Sequence, residues 1–231
     1  TESTDVYWAR QQVFERLQQA KSRIPPGVGE PELAPVTTGL GEIYQYTIHA
    51  KKGYENRYTA TDLRTIQDWI VRRQLLGTKG VADVSSFGGY LKQYEIAVNP
   101  DRLRSQQVTV DHIFAALATN NQNTGGAYID KRPNAYFIRS QGLIGSLDEI
   151  GKITVRTNDN GTPVRIRDVA QVRYGSAVRY GALTRNGEGE AVGAIVMMLK
   201  GANSSQVIHN VKQRMAQIRQ TLPEGVEVTP F

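Results

Sequence analysis

The sequence predicts an α+β fold. Three observations carry that reading. A helix–turn–strand unit recurs along the chain, strands precede two of the three helices, and a long stretch of different grammar separates the two halves. The first copy is capped by Thr4 or Asp5 and places Val6, Val13, Leu17 and Ala20 at helical spacing up to Ile24. Pro25-Pro26-Gly27-Val28 then ends it. The last copy is capped by Asn203 or Ser204. Its stripe is Val207, Val211, Met215 and Ile218, and Leu222-Pro223-Glu224-Gly225-Val226 turns it into a strand. Overlaid, the two copies match at Val13 with Val211, Arg16 with Arg214, Pro25 with Pro223, Gly27 with Gly225 and Val28 with Val226. A weaker copy runs through Leu63, Ile66, Ile70 and Leu75 to Lys79-Gly80-Val81.

Strands over residues 42–49 and 191–199 precede the second and last helices. The result is strand–helix–strand twice over, the ferredoxin-like βαββαβ plan, split by a module inserted between Phe87 and Glu190. The insert alternates as a strand over residues 94–98, closed by Asn99-Pro100, and continues as a helix over 110–118 with Thr109 as cap. Gly125-Gly126 precedes a hairpin of residues 127–130 and 135–139, joined through Lys131-Arg132-Pro133-Asn134. A short helix near 147–150 follows, then strands over 153–156 and 164–166 around an Asn158-Asp159-Asn160-Gly161 turn, and a strand over 169–174. The first helix has no strand before it, so residues 1–38 read as the truncated end of another such unit, or as a flexible N-terminal arm.

The 231 residues are 39% hydrophobic, which suits a folded chain rather than a disordered one. No window approaches the roughly 18 apolar residues of a membrane helix, and residues 1–25 carry no signal-peptide pattern. With no cysteine, disulfides and thiolate metal sites are excluded. The net charge of +6 is dispersed among acids, as in Arg102 beside Asp101, which speaks against nucleic-acid binding. Phosphate loops, nucleophile elbows and paired-histidine helices are missing, so the chain is not expected to be an enzyme or to hold a cofactor. His49, His112 and His209 lie far apart and read as incidental, and Met197-Met198 point to opposite faces of a strand. Gly88-Gly89 reads as a bulge or a close backbone contact.

Two carboxylates stand out as candidate cation ligands. Glu42 opens a strand and shares the parity of Tyr44, Tyr46 and Ile48, whereas Asp83 sits mid-strand facing away from the helices. One strand lies between theirs in a βαββαβ sheet, so they start roughly 10 Å apart and need further ligands. Solvated strand-end acids are the alternative.

Several stretches go beyond pattern: DVYWARQQVFERL, TTGLGEIYQY, LRTIQDWIVRRQL, GVADVSSFGGYLKQYEIAVNPDRL, GTPVRIRDVAQVRYG and GEAVGAIVMMLKGANSSQVI. In order and over essentially the whole chain, they resemble the N-terminal periplasmic loop of heavy-metal efflux pumps of the resistance–nodulation–division superfamily. That resemblance implies the periplasmic part of a Gram-negative inner-membrane proton/cation antiporter. It would be a homotrimer working with a periplasmic adaptor protein and an outer-membrane channel. Residues 1–38 would end the first porter subdomain, 39–91 and 188–231 would form the second, and 92–187 would be the docking insert. The family's docking hairpins reach a neighbouring subunit, which makes Asn123, Gly125, Gly126, Tyr128, Lys131, Arg132, Pro133 and Tyr136 candidate subunit contacts. At the Glu42 position the family's divalent-metal branch tends to carry an acid and its copper/silver branch a Trp. Glu42, with Asp83 as partner, therefore leans toward zinc, cobalt, nickel or cadmium as transported ion, since carboxylate oxygens suit harder cations. The alternatives are a pump for organic compounds or for Cu(I)/Ag(I), and an independent ligand-binding module on a ferredoxin-like sheet.

Overall fold

The computed structural model describes residues 4–25, 28–131, 133–140, 142–187 and 189–231. In chain order the first elements are α1 (Val6–Lys21), β1 (Glu42–Ala50), α2 (Ala60–Ile66), α3 (Arg72–Leu76), β2 (Val81–Gly88), β3 (Lys92–Val98), α4 (Pro100–Ser105) and α5 (Val110–Thr119). They are followed by β4 (Thr124–Lys131), β5 (Asn134–Ser140), α6 (Leu147–Lys152), β6 (Thr154–Thr157), β7 (Pro163–Arg165), α7 (Ile166–Val169) and β8 (Ala170–Ser176). The last are β9 (Leu183–Thr184), β10 (Glu190–Met198), α8 (Ser204–Thr221) and β11 (Val226–Pro230). The chain forms two compact units, one of residues 1–55, 66–87 and 192–231, the other of residues 56–65 and 88–191.

In the first unit the strands run in the order β11-β1-β10-β2. β1 is antiparallel to both neighbours, with Gln45 opposite Ile195 and Thr47 opposite Thr229. The strands that carry Ile43 and Ile195 thus share one sheet. Tyr44, Tyr46 and Ile48 face the same side as Val196, Ala194 and Val192 of β10, and Ile48 is paired with Val228. All of these except Tyr44 are buried, and α8 covers them with Val207, Val211, Met215 and Ile218. Asn203 starts α8 by accepting the Gln206 amide at 3.0 Å. Arg214 Nε donates to the Gln74 carbonyl at 3.2 Å, tying α8 to α3.

The middle helix departs from the sequence reading in one respect. Between α2 and α3, residues Gln67–Val71 form a π turn. It inserts one residue into the helical repeat, so Val71 is fully buried where the spacing put Ile70. The first helix, capped by Asp5 through the Trp8 amide at 2.8 Å, buries none of its residues. Arg10 fastens the extended segment beside it by donating to the Ala34 carbonyl at 2.6 Å. Pro26 and Gly27, expected to end α1, lie outside the described residues.

The second unit has its own core of Val108, Ile113, Ile150, Ile153, Val164, Ile166, Val169 and Ala170. β3 and β8 form a two-stranded ladder from Lys92↔Ser176 to Val98↔Ala170, with Ile96 and Val172 packed on that core. Asn99-Pro100 closes β3 as expected and also starts a helix, α4. The Asn99 carboxamide accepts the Asp101 and Arg102 amides at 3.0 Å, and Pro100 takes the first turn, where no amide hydrogen is needed. Thr109 and His112 form a reciprocal capping box on α5. Gly88, at φ +74°, approaches the Ala191 carbonyl so closely that no side chain fits there.

Candidate functional site

Glu42 follows a 3₁₀ turn, Gly39–Gly41, and opens β1 at the exposed end of the sheet. A register shift between Glu42 and Tyr44 pairs Glu42 with Met197 and Tyr44 with Val196. Adjacent residues of β10 point to opposite faces, so Glu42 shares the face of Met197 and Ile195. This corrects the expectation that Glu42 lies with Tyr44, Tyr46 and Ile48: the bulge moves its carboxylate to the face opposite α8.

Asp83 lies on β2, separated from β1 by β10, as the sheet order requires. Its carboxylate is not free. Oδ1 accepts the Val84 amide at 2.8 Å and an Arg72 guanidinium nitrogen at 3.1 Å, while Arg72 Nε donates to the Val84 carbonyl at 2.8 Å. A cation would have to displace Arg72. Among the described residues no group of three or more histidine or carboxylate side chains is placed to hold a metal ion. His49 faces Glu227 across β1 and β11, Nε2 to Oε2 at 3.9 Å, and His112 serves α5 as a cap.

Between these strands and the π turn runs a polar line that the sequence did not disclose. The Tyr46 hydroxyl donates to Gln67 Oε1 at 3.0 Å, and Gln67 Nε2 donates to Ser86 Oγ at 3.1 Å. Tyr46 and Gln67 are both fully buried. Burial pushes the Tyr46 phenol well above its ordinary pKa, with the Gln67 hydrogen bond opposing it, and raises that of Tyr44 against the pull of Arg219. The signal available in the sequence was Gln67 itself, a polar residue four after Leu63 on the buried side of a helix.

The expected subunit-contact hairpin exists as a two-stranded sheet, β4 with β5, pairing Ile129 with Tyr136, Asp130 with Ala135 and Lys131 with Asn134. Ile129 and Tyr136 are about half exposed, and Gly125, Lys131 and Pro133 are exposed as well. A register shift between Gly125 and Tyr128 includes Gly126. Asn123 braces the base of the hairpin by accepting the Gly142 amide at 3.1 Å. Arg132 lies outside the described residues.

The model of the AcrB/AcrD/AcrF family matches residues 1–231. The cobalt-zinc-cadmium resistance protein CzcA of Cupriavidus metallidurans is 44% identical over 98% of this chain and 21% of its own length. The cation efflux system protein CusA of Escherichia coli K12 is 37% identical, again over 98% of this chain and 21% of its own length. A crystal structure of a heavy metal efflux pump superposes with a TM-score of 0.82 at 29% identity, covering 100% of this chain and 22% of that one. The chain spans about a fifth of the length of the curated relatives it matches. No helix among the described residues is long and apolar enough to cross a membrane. With every residue of the chain inside the family match, the chain belongs to the AcrB/AcrD/AcrF family, in the heavy-metal efflux branch of the resistance–nodulation–division superfamily.

Proposed function

We propose that the chain is the periplasmic porter and docking segment of a proton-driven heavy-metal efflux pump that exports divalent cations. The observation that carries this reading is the 44% identity to CzcA across 98% of the chain. In this reading the β11-β1-β10-β2 sheet with its helices is a ferredoxin-like porter subdomain. That antiparallel order is the one a βαββαβ unit adopts when its two halves interleave. The second unit is the docking insert. Its hairpin, with Ile129 and Tyr136 outward, meets a neighbouring subunit of a homotrimer, while an adaptor protein and an outer-membrane channel complete the assembly. Membrane helices and the proton path belong to the rest of the longer protein.

Glu42 carries the leaning toward zinc, cobalt, nickel or cadmium, because an exposed carboxylate is a hard oxygen donor. Asp83 is held by Arg72 and Val84. We therefore assign the cation contact to Glu42, with its remaining ligands supplied by the longer protein. The test uses the intact pump in a metal-sensitive host. Glu42→Ala should lower zinc and cobalt resistance at unchanged protein level, and Glu42→Asp should restore part of it. Full zinc and cobalt resistance in Glu42→Ala would remove Glu42 from the cation path.

A further inference from the structure

We infer that Arg72 and Asp83 together form a surrogate strand that seals the β2 edge of the sheet, with Arg219 guarding the β11 edge, so that neither edge pairs with a second copy of this chain. An edge strand presents unpaired amides and carbonyls and templates strand addition unless it is blunted. β2 is an edge strand in the sheet path. Its sequence from Val81 to Phe87 is rich in apolar and β-forming residues with Asp83 as the lone charge, the composition that favours edge-to-edge pairing.

A neighbouring strand would offer one acceptor and one donor to the same residue. At Val84 two side chains do this. Asp83 Oδ1 takes the amide hydrogen at 2.8 Å, and Arg72 Nε gives a hydrogen to the carbonyl at 2.8 Å. The Arg72–Asp83 ion pair at 3.1 Å closes the ring. The π turn enters here too, because Arg72 is the residue that follows it.

The far edge is treated by the same logic. The Lys51 amide donates to the Gly225 carbonyl and the Phe231 amide to the Gln45 carbonyl, so the odd-numbered residues of β11 bond to β1. The backbone groups of Val226, Val228 and Pro230 therefore point away from β1, while the side chains of Val226 and Val228 stay buried. The Val226 amide donates to the Pro223 carbonyl at 3.1 Å, Arg219 donates to the Val228 carbonyl at 3.1 Å, and Pro230 has no amide hydrogen. Two arginines from the helical layer thus reach round opposite edges of one sheet.

Amide hydrogen exchange and solution mass test this on the 231-residue chain. In the wild type the Val84 amide should exchange slowly although it lies on an edge. Asp83→Ala should speed its exchange by roughly tenfold, with Asp83→Asn intermediate because a carboxamide oxygen still accepts. Arg72→Met with Arg219→Met, which keeps the aliphatic stems, should convert the chain to species whose mass grows with concentration, while Arg72→Lys remains as wild type. Wild-type Val84 exchanging like an unstructured amide would overturn the inference, even if the double variant failed to fold. So would a folded Arg72→Met, Arg219→Met chain whose mass stays that of the wild type at every concentration.

Discussion

Replacing Tyr46 by Phe removes a single hydroxyl from the centre of the first unit, and the structure sets the size of the effect. That hydroxyl is the donor to Gln67 Oε1 at 3.0 Å, and neither residue has any exposed surface. Tyr46→Phe strands a buried carbonyl oxygen, which costs about 1–3 kcal/mol. The Gln67 amide group retains Ser86. Gln67→Leu strands the Tyr46 hydroxyl and also removes the Ser86 bond, so it should cost at least as much. In the double variant the stranded partners are gone together, and two apolar side chains of similar bulk face each other. It should therefore lose about 1–2 kcal/mol less than the sum of the single losses.

Urea unfolding followed by circular dichroism gives the four free energies. Thermal unfolding supplies a check, since 1 kcal/mol corresponds to roughly 2–4 °C in a chain of this size. If the single losses add to within about 0.5 kcal/mol, the two groups are not coupled and the buried polar line is not an energetic unit.

Alkaline pH addresses the same hydroxyl. Because burial raises the folded-state pKa of Tyr46 above the ordinary phenol value of about 10, its contribution is complete below that value and is lost as pH rises beyond it. Wild type should lose more stability than Tyr46→Phe between roughly pH 9 and pH 11 in urea titrations, and parallel curves would contradict this. Asp62 works in the opposite direction. Hydrogen bonds from the Thr59 hydroxyl at 2.6 Å and the Thr59 amide at 3.0 Å hold its carboxyl below the usual range, opposed by burial and aided by Lys92. Its contribution is therefore present above the unfolded value, about 3.9, and lost as pH falls through the folded one. Exchange of the first α2 amides should be faster in Asp62→Asn than in wild type at neutral pH, with the difference vanishing in acid. Gly88→Ala should destabilise the second unit by roughly 1–3 kcal/mol. A Cβ there meets the Ala191 carbonyl at a left-handed φ of +74°, and an unchanged melting temperature would show that the two segments can part at little cost.

Much of this architecture is legible in the sequence, for identifiable reasons. The α8 stripe of Val207, Val211, Met215 and Ile218 is regular, capped and followed by a proline, and all four residues are buried as the spacing implies. The alternation of β1 fixed its covered face from Tyr44 to Ile48 by the same local logic. The hairpin of β4 and β5 was visible because Gly125-Gly126 precedes it and the Lys131-Arg132-Pro133-Asn134 turn joins its strands. What its exposed side chains touch is not legible there, since nothing in a strand's own residues says so. Asp83 looked like an available ligand because its occupant, Arg72, stands eleven positions earlier on another element. A one-dimensional reading sees the charge and misses the guanidinium folded against it.

The departures from the periodic reading share one mechanism. The bulge between Glu42 and Tyr44 adds a residue to a strand, and the π turn Gln67–Val71 adds one to a helix. β2 breaks alternation as well, burying both Val81 and Val84. The bulge and the π turn each shift the face on which neighbouring side chains fall, and each lies beside a polar side chain. The bulge turns Glu42 away from the face that Tyr44 and the buried Tyr46 share. The π turn carries Val71 inward and is followed at once by Arg72. The irregularity in β2 accompanies the Val84 amide and carbonyl that Arg72 and Asp83 hold. A perfectly periodic sequence would build the same sheet and helices, yet Glu42 would point into the apolar layer and Arg72 would be displaced around its helix from the β2 edge. The irregular residues are therefore where a shared architecture acquires the placement of its polar side chains.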